Sequence, residues 1–143
     1  MNDGPFSSLQ VSASALTAER LRMSVIAGNL ANAQVTRTPE GGPYRRRAVV
    51  FEPILESESR QLGAAIPRGV RVARVELDRA TPFERRHEPG HPDADAEGNV
   101  AMPNVNPMFE MVDLITAARS YEANLSAMRA YRELLQRTIT MGR

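Results

Sequence analysis

Two stretches with the spacing of long amphipathic helices stand at opposite ends of this chain, and neither can bury its apolar stripe alone. In residues 8–33 apolar side chains recur once per heptad at Leu9, Leu16, Met23 and Leu30, with Ala13, Ile26 and Ala27 filling neighbouring positions. Glu19 and Arg20 interrupt that stripe. In residues 107–141, Met111, Leu114, Ala118, Tyr121, Leu125, Met128, Leu135 and Ile139 alternate spacings of three and four, with Arg132 as the one charged break. Such an alternation over four heptads is a coiled-coil seam. Val112 and Ile115 widen it early on. At about 1.5 Å per residue the first helix is expected to be roughly 39 Å long and the second roughly 50 Å. Asn106 suits a cap and Pro107 the first helical position, while Glu110 and Asp113 place negative charge near the positive end of the helix dipole.

The residues between, 34–106, hold most of the Pro and Gly and show few helical periods. "YRRRAVVFEPIL" and "GVRVARVEL" are the strand candidates. In the second, Val70 and Val72 alternate in one phase and Val75 and Leu77 in the other, a slip that predicts a bulge near Ala73 and Arg74. "TRTPEGGPY" and "RHEPGHPDADAEG" read as loops. This middle is too poor in large apolar residues for a generous core of its own. The expected fold is therefore mainly α with a small β middle: residues 1–36 and 106–143 supply terminal helices paired as a coiled-coil hairpin, and residues 37–105 form a β-rich extended segment between them.

The first helix ends in an unusual way. Asn29 and Asn32 sit inside its apolar period with Gly28 beside them. Gly28 permits close helix approach, and the two amides can bond neighbouring backbones and fix register at the helix exit, since polar seam residues trade stability for registry. A plain helix C-cap that tolerates Asn explains the same residues.

Composition removes several kinds of chemistry. With no Cys in 143 residues there is no disulfide, thiolate–metal site or cysteine nucleophile. The 18 basic residues, all Arg, balance 17 acidic ones, which gives no argument for nucleic acid or an anionic membrane. Arg suits bidentate pairing at protein interfaces better than Lys does, and biased base composition would produce the same preference. The start, "MNDGPFSSLQ", lacks a basic and an apolar region, so no cleaved secretory signal is expected; no run reaches the apolar length of a membrane span.

The candidate sites in the middle have plainer explanations. "DADAEGNVAMPN" places Asp93, Asp95, Glu97, Gly98 and Val100 as in a calcium-binding loop. Its twelfth position is Asn104, however, where a bidentate Glu belongs, and Pro89 and Pro92 occupy the place of the incoming helix. An acidic turn before a strand accounts for the same residues. His87 and His91 have the separation of two ligands on one helical turn, but Glu-Pro-Gly between them prevents a helix, which favours a surface loop over zinc. Arg45, Arg46 and Arg47 read as a charge-protected strand edge or a protein contact. Tyr121 and Met128 read as packing. No organised acid–base or nucleophilic constellation is present, and no enzymatic activity is expected.

Three segments together resemble the bacterial flagellar axial proteins of the rod and hook, and in particular the proximal rod type. They are "SASALTAERLRMSVIAGNLANAQVTRTPEGGPYRRR", "HEPGHPDADAEGNVAMPNVN" and "EMVDLITAARSYEANLSAMRAYRELLQRTITMG". The Asn-Leu-Ala-Asn element alone is shared by rod, hook and hook-associated proteins; the set is more specific. His87 and Asn99 stand where that family more often has Tyr, and residues 52–68 are weakly diagnostic. The resemblance implies a structural subunit of the rod in the periplasmic part of the flagellar basal body, without a cofactor. It also implies export through the flagellar type III apparatus without a cleaved signal peptide. Implied partners are copies of the chain, other rod proteins, the rotor-ring adaptor at the rod base and the export machinery, with no nucleic acid and no direct membrane insertion. The assembly interface expected is Leu9, Leu16, Met23, Leu30, Gly28, Asn29 and Asn32 from the first helix. From the second it is Met111, Leu114, Ala118, Tyr121, Leu125, Met128, Leu135 and Ile139. A distal-rod or hook component is the near alternative, a coiled-coil adaptor unrelated to flagella the distant one.

Overall fold

Helix α1 spans Phe6–Ala31 and helix α2 spans Pro107–Met141, at or within two residues of the limits that heptad spacing predicts. Between them come β1 (Arg47–Leu55), β2 (Pro67–Leu77), β3 (Glu84–His87) and β4 (Asn99–Met102). The computed structural model describes residues 6–55 and 67–141. Most of the weakly diagnostic link 52–68, and the extreme ends of both terminal helical regions, thus lie outside the described residues. Among the described residues no helix is long and apolar enough to cross a membrane.

The α2 start follows from its cap. Asn106 Oδ1 accepts hydrogen bonds from the backbone N–H groups of Met108 (3.0 Å) and Phe109 (3.4 Å), filling two donor positions that a helix leaves open. The two helices pack against each other and run antiparallel: Asn29 of α1 meets Glu110 of α2, and Arg22 meets Asp113.

Strands β1 and β2 form an antiparallel ribbon with Arg47 opposite Leu77 at one end and Leu55 opposite Pro67 at the other. The pairing steps from Val50–Arg74 to Phe51–Val72, which leaves Ala73 without a partner, where the slip in apolar phase predicts a bulge. The extra residue has a purpose. Val49 and Phe51 lie on one face of β1, and their partners are Val75 and Val72; the bulge brings the two out-of-phase valine pairs of β2 onto a single face. The ribbon packs on α1, and Val49 and Phe51 line one hollow together with Val25 and Ile26 of the helix.

Strands β3 and β4 make a second antiparallel pair, from Glu84–Met102 to His87–Asn99. Strand β4 stands where an acidic turn leads into a strand. Strand β3 corrects the expectation of a loop at Arg86 and His87: all four of its residues are exposed, so there is no apolar alternation by which to see it.

The interior is thin and partly polar. Among the described residues Ala18, Ile26, Val100, Pro103, Val105 and Ala117 are the buried apolar side chains, while fifteen large apolar ones are exposed. The three largest side chains that are fully buried are Glu110, Val100 and Asn29.

Candidate functional site

The end of α1, the start of β1 and the start of α2 converge on one amide. The Asn29 side chain is wholly buried. Its Nδ2 donates to the backbone carbonyl of Arg47 (2.8 Å) and to Glu110 Oε2 (2.9 Å). Its Oδ1 accepts from the backbone N–H of Arg47 (3.0 Å) and from the Tyr44 hydroxyl (3.0 Å). Two donor hydrogens and two lone pairs are thereby used in full. Asn29 exchanges both backbone bonds with Arg47 as a neighbouring strand would, so a helix side chain fixes the first residue of β1.

Glu110 extends this lock. Its Oε1 accepts from Arg46 Nε at 2.5 Å, and only 1% of its side chain is exposed. Arg46 also reaches Asp113 (3.5 Å), Asp113 faces Arg22 (3.8 Å), and Arg22 faces Glu19 (3.7 Å), whose Oε2 is buried without a hydrogen bond. Behind Arg46, its backbone N–H donates to Asn104 Oδ1 (2.8 Å), and Asn104 Nδ2 donates to the carbonyls of Asp78 (3.0 Å) and Thr81 (3.2 Å). A buried carboxylate is tolerated only when it is paired and hydrogen-bonded in this manner.

Two ionisable groups at this junction are displaced from their usual range. Burial raises the Tyr44 hydroxyl pKa; the Arg47 charge opposes the rise and the Glu110 charge adds to it. Asp78 is lowered, first by the backbone N–H and then by the hydroxyl of Thr81, against a smaller desolvation effect, with Ala80 N–H and Arg46 assisting.

The expected site residues divide into two groups. Leu9, Leu16, Met23 and Leu30 are half-buried, as are Leu114, Ala118, Tyr121, Leu125, Met128 and Leu135. Met111 and Ile139, by contrast, are 44% and 68% exposed. The deepest positions of α2 are Glu110 and Ala117, one residue before Met111 and Ala118, so the inner face is rotated from the expected seam. The reason is local: the start of α2 is apolar on nearly every side, and apolar spacing cannot show that a glutamate faces inward. The Asn29 amide bonds the backbone of Arg47 within the chain. The Asn32 side chain instead donates to the Gly28 carbonyl of its own helix (2.8 Å), a C-terminal cap. Gly28 does not serve close packing inside the chain, because a Cβ there would meet nothing within 4 Å.

The three arginines also differ from their expected role. Arg46 turns into the lock, Arg47 is fixed through its backbone, and Arg45 lies 4.1 Å from the centre of the Phe83 ring. In the acidic loop, Asp93 pairs with Arg37 (2.7 Å) and accepts from the Thr36 hydroxyl (2.8 Å). Asp95 Oδ1 accepts from the N–H groups of Glu97 (3.0 Å) and Asn99 (2.7 Å). The Asp95 carboxylate shapes the turn, and that of Asp93 ties the loop to Thr36 and Arg37. His87 contacts Asn99, and His91 accepts from the Asp93 N–H; among the described residues no three such side chains cluster to hold a metal.

What remains is a surface. Met108, Phe109, Met111, Val112 and Ile115 are between 44% and 71% exposed at the start of α2, directly outside the lock. A helix apolar on all sides is one that is covered in its working state, and a patch of this kind on an isolated chain marks an interaction site.

Comparison with known proteins agrees with this arrangement. Residues 9–37 match the family model described as flagella basal body rod protein, and residues 96–141 match the C-terminal region of flagellar basal body rod FlgEFG proteins. The chain is 40% identical to the flagellar basal-body rod protein FlgC of Borreliella burgdorferi, over 96% of this chain and 97% of that one. The corresponding protein of Bacillus subtilis is 44% identical, over 96% and 98%, and that of Aquifex aeolicus 40%, over 93% of each. Identity of this extent over more than nine-tenths of the chain places it in the FlgC family of flagellar basal-body rod proteins.

Proposed function

We propose that the chain is a structural subunit of the flagellar basal-body rod, which polymerises through its terminal helices and carries torque from the rotor towards the hook. The observation that carries this reading is the apolar start of α2, exposed on one side while the other side is held by a buried polar lock. Within the assembled rod the helices form a coiled-coil bundle with those of neighbouring copies. Met111 and Ile139, turned outward in the single chain, become seam residues there. Leu9, Leu16, Met23, Leu30, Leu114, Ala118, Tyr121, Leu125, Met128 and Leu135, which are only half-covered, gain the rest of their burial from the same neighbours, and Gly28 admits a close one. Contacts that do not close into a ring generate an open helix, which a shaft needs.

The subunit belongs to the proximal part of the rod, in the periplasm, with other rod proteins and the rotor-ring adaptor as neighbours. It arrives through the flagellar type III export apparatus without a cleaved signal peptide. The role is mechanical, and no catalytic step enters it.

The test is a gene deletion complemented in trans, with basal bodies purified from each strain. The deletion strain is expected to be non-motile, and the wild-type chain to restore swimming and to co-purify with basal bodies. Ile115→Asp, at a position 55% exposed in the single chain, is expected to leave the melting of the purified protein unchanged and to abolish both. A deletion strain that still swims refutes the proposal.

A further inference from the structure

Oxidants find few targets in this chain. With no Cys and no Trp, the thioethers of its seven Met are the side chains they attack first. Exposure then ranks those thioethers. Met23, Met102 and Met128 are half-buried, whereas Met108, Met111 and Met141 are 69%, 44% and 80% exposed. Met141 ends α2, while Met108 is the second residue of that helix.

Met108 differs from the other exposed thioethers in its surroundings. Met111, Val112 and Ile115 follow it at three, four and seven residues, which places all four on one face of α2. Glu110 and Ala117, the buried residues of the helix, lie on the opposite side. The polar contacts of the lock do not involve the apolar face: Glu110 meets Asn29 and Arg46, and Asp113 meets Arg46 and Arg22. The backbone under Met108 is secured by the cap, since its N–H donates to Asn106 Oδ1 at 3.0 Å. A change at the Met108 sulfur therefore leaves the fold intact and alters only the surface that the chain presents.

Resting on the assembly role proposed above, we infer that Met108 is an oxidative modification site, whose sulfoxide keeps a folded free chain out of the rod. Hydrogen peroxide supplies the oxygen. Its O–O bond breaks and an S–O bond forms at the thioether; the sulfur gives up two electrons, and the other peroxide oxygen leaves as water. The sulfoxide places a strong hydrogen-bond acceptor on a face that has no donor to offer it. Covering that face then strands a polar oxygen among apolar side chains, which is unfavourable. The step is reversible: a sulfoxide reductase breaks the S–O bond, oxidising two thiols to a disulfide and releasing water. Once the subunit is in place its Met108 is covered, so the modification sorts chains before they assemble.

Two substitutions at one position test this without an oxidant. Met108→Gln carries an amide oxygen in place of that of the sulfoxide, whereas Met108→Leu stays apolar and cannot be oxidised. In the complemented deletion strain, Met108→Gln is expected in purified basal bodies at a level at least about fivefold below Met108→Leu. The two purified chains are expected to melt at the same temperature. Equal incorporation overturns the inference, and so does a Met108→Gln chain that melts well below Met108→Leu, because the position would then act on folding. Hydrogen peroxide tests the sulfur itself. It is added while isotope-labelled chain is being made, and incorporation is compared with that of the same strain untreated. Wild type and Met141→Leu are expected to fall at least about threefold, and Met108→Leu to be spared. Equal falls in all three strains, or none in the wild type, overturn the inference. Neither comparison touches the rod assignment, which fails instead if the untreated wild-type chain is missing from basal bodies.

Discussion

Asn29 and Asn32 stand three residues apart in one helix, yet their surroundings differ so much that substitution should separate them. Asn29→Ala leaves the Arg47 backbone pair, the Tyr44 hydroxyl and Glu110 Oε2 without their partner in a buried place, and each unsatisfied group costs about 1–3 kcal/mol. Some of that is recovered by water entering the space, so a net loss of about 3 kcal/mol is expected in urea unfolding. Asn32→Ala removes one half-buried bond within the helix end and is expected to cost at most about 1 kcal/mol. Equal effects would show that the lock does not organise the junction. A second prediction concerns acid. The Asp78 carboxylate is held below its ordinary value of 3.8 by the donors of Thr81, so its ionised form is favoured in the folded chain. Its stabilising contribution is complete above that ordinary value and is lost as pH falls through the lower folded one. Asp78→Asn should therefore flatten the decline of the melting temperature below about pH 4, and an identical acid profile would refute the assignment. Little of this was legible in the residues. "GNLANA" marks the asparagines as unusual, but the partners of Asn29 lie 15, 18 and 81 positions away, beyond the reach of any local spacing rule. Glu110 looked like an ordinary first-turn acid because that role and the buried one require the same residue at the same place.

The elements themselves were easier to read, for a physical reason. Helix limits depend on local caps and periods, and Asn106 and Pro107 announce α2 directly. The bulge at Ala73 showed as a slip in valine phase, because a strand that keeps its valines on one face must absorb an extra residue where their spacing turns from even to odd. Strand β3, fully exposed, leaves no such trace. How α1 and the ribbon hold together is a matter of matched lengths. Asn29 fixes Arg47, and fifteen residues earlier Ser14 Oγ accepts from the Val70 N–H (3.1 Å). That stretch of helix covers roughly 22 Å. Along β1, Arg47 and Pro53, the partner of Val70, are six residues apart, or roughly 20 Å of strand. The two attachments can thus form together only if helix and ribbon lie side by side in this register. Gly69 makes the second attachment possible: its φ is +152°, and a Cβ there would lie 2.6 Å from Ser14 Oγ. Gly69→Ala is expected to lose about 2–3 kcal/mol through strain and displacement of Ser14, with hydrogen exchange at Val70 rising much more than at Arg47. Uniform loss of protection along the ribbon would contradict two independent attachments.

At the scale of the whole molecule the chain is a graded object. Around Asn29, Glu110 and Asn104 the end of α1, the loop before β1 and the start of α2 are tied by buried bonds. Farther along the helices these ties run out. Antiparallel pairing sets Asn29 against Glu110, so a residue-for-residue match brings Phe6 of α1 to about position 133 of α2 at an equal rise per residue. Leu134, Ile139 and Met141 are 61%, 68% and 80% exposed, as expected for a helix that outruns its partner. Isolated helical turns without tertiary contacts are marginal in water, and local stability follows contact density. Hydrogen exchange of the dilute monomer should therefore show slow amides near Asn29 and through the first turns of α2, with a steady rise in rate towards residues 6–13 and 129–141. In assembled basal bodies the same terminal amides should become protected, because neighbouring copies supply the missing face. The heptads at the two ends of the sequence made the need for partners visible; they could not show where self-sufficiency stops, since that boundary is set by polar contacts between residues far apart in the chain. A monomer whose terminal turns exchange as slowly as the lock would mean that the helices are complete without neighbours, and the reason for the chain to polymerise through them would disappear.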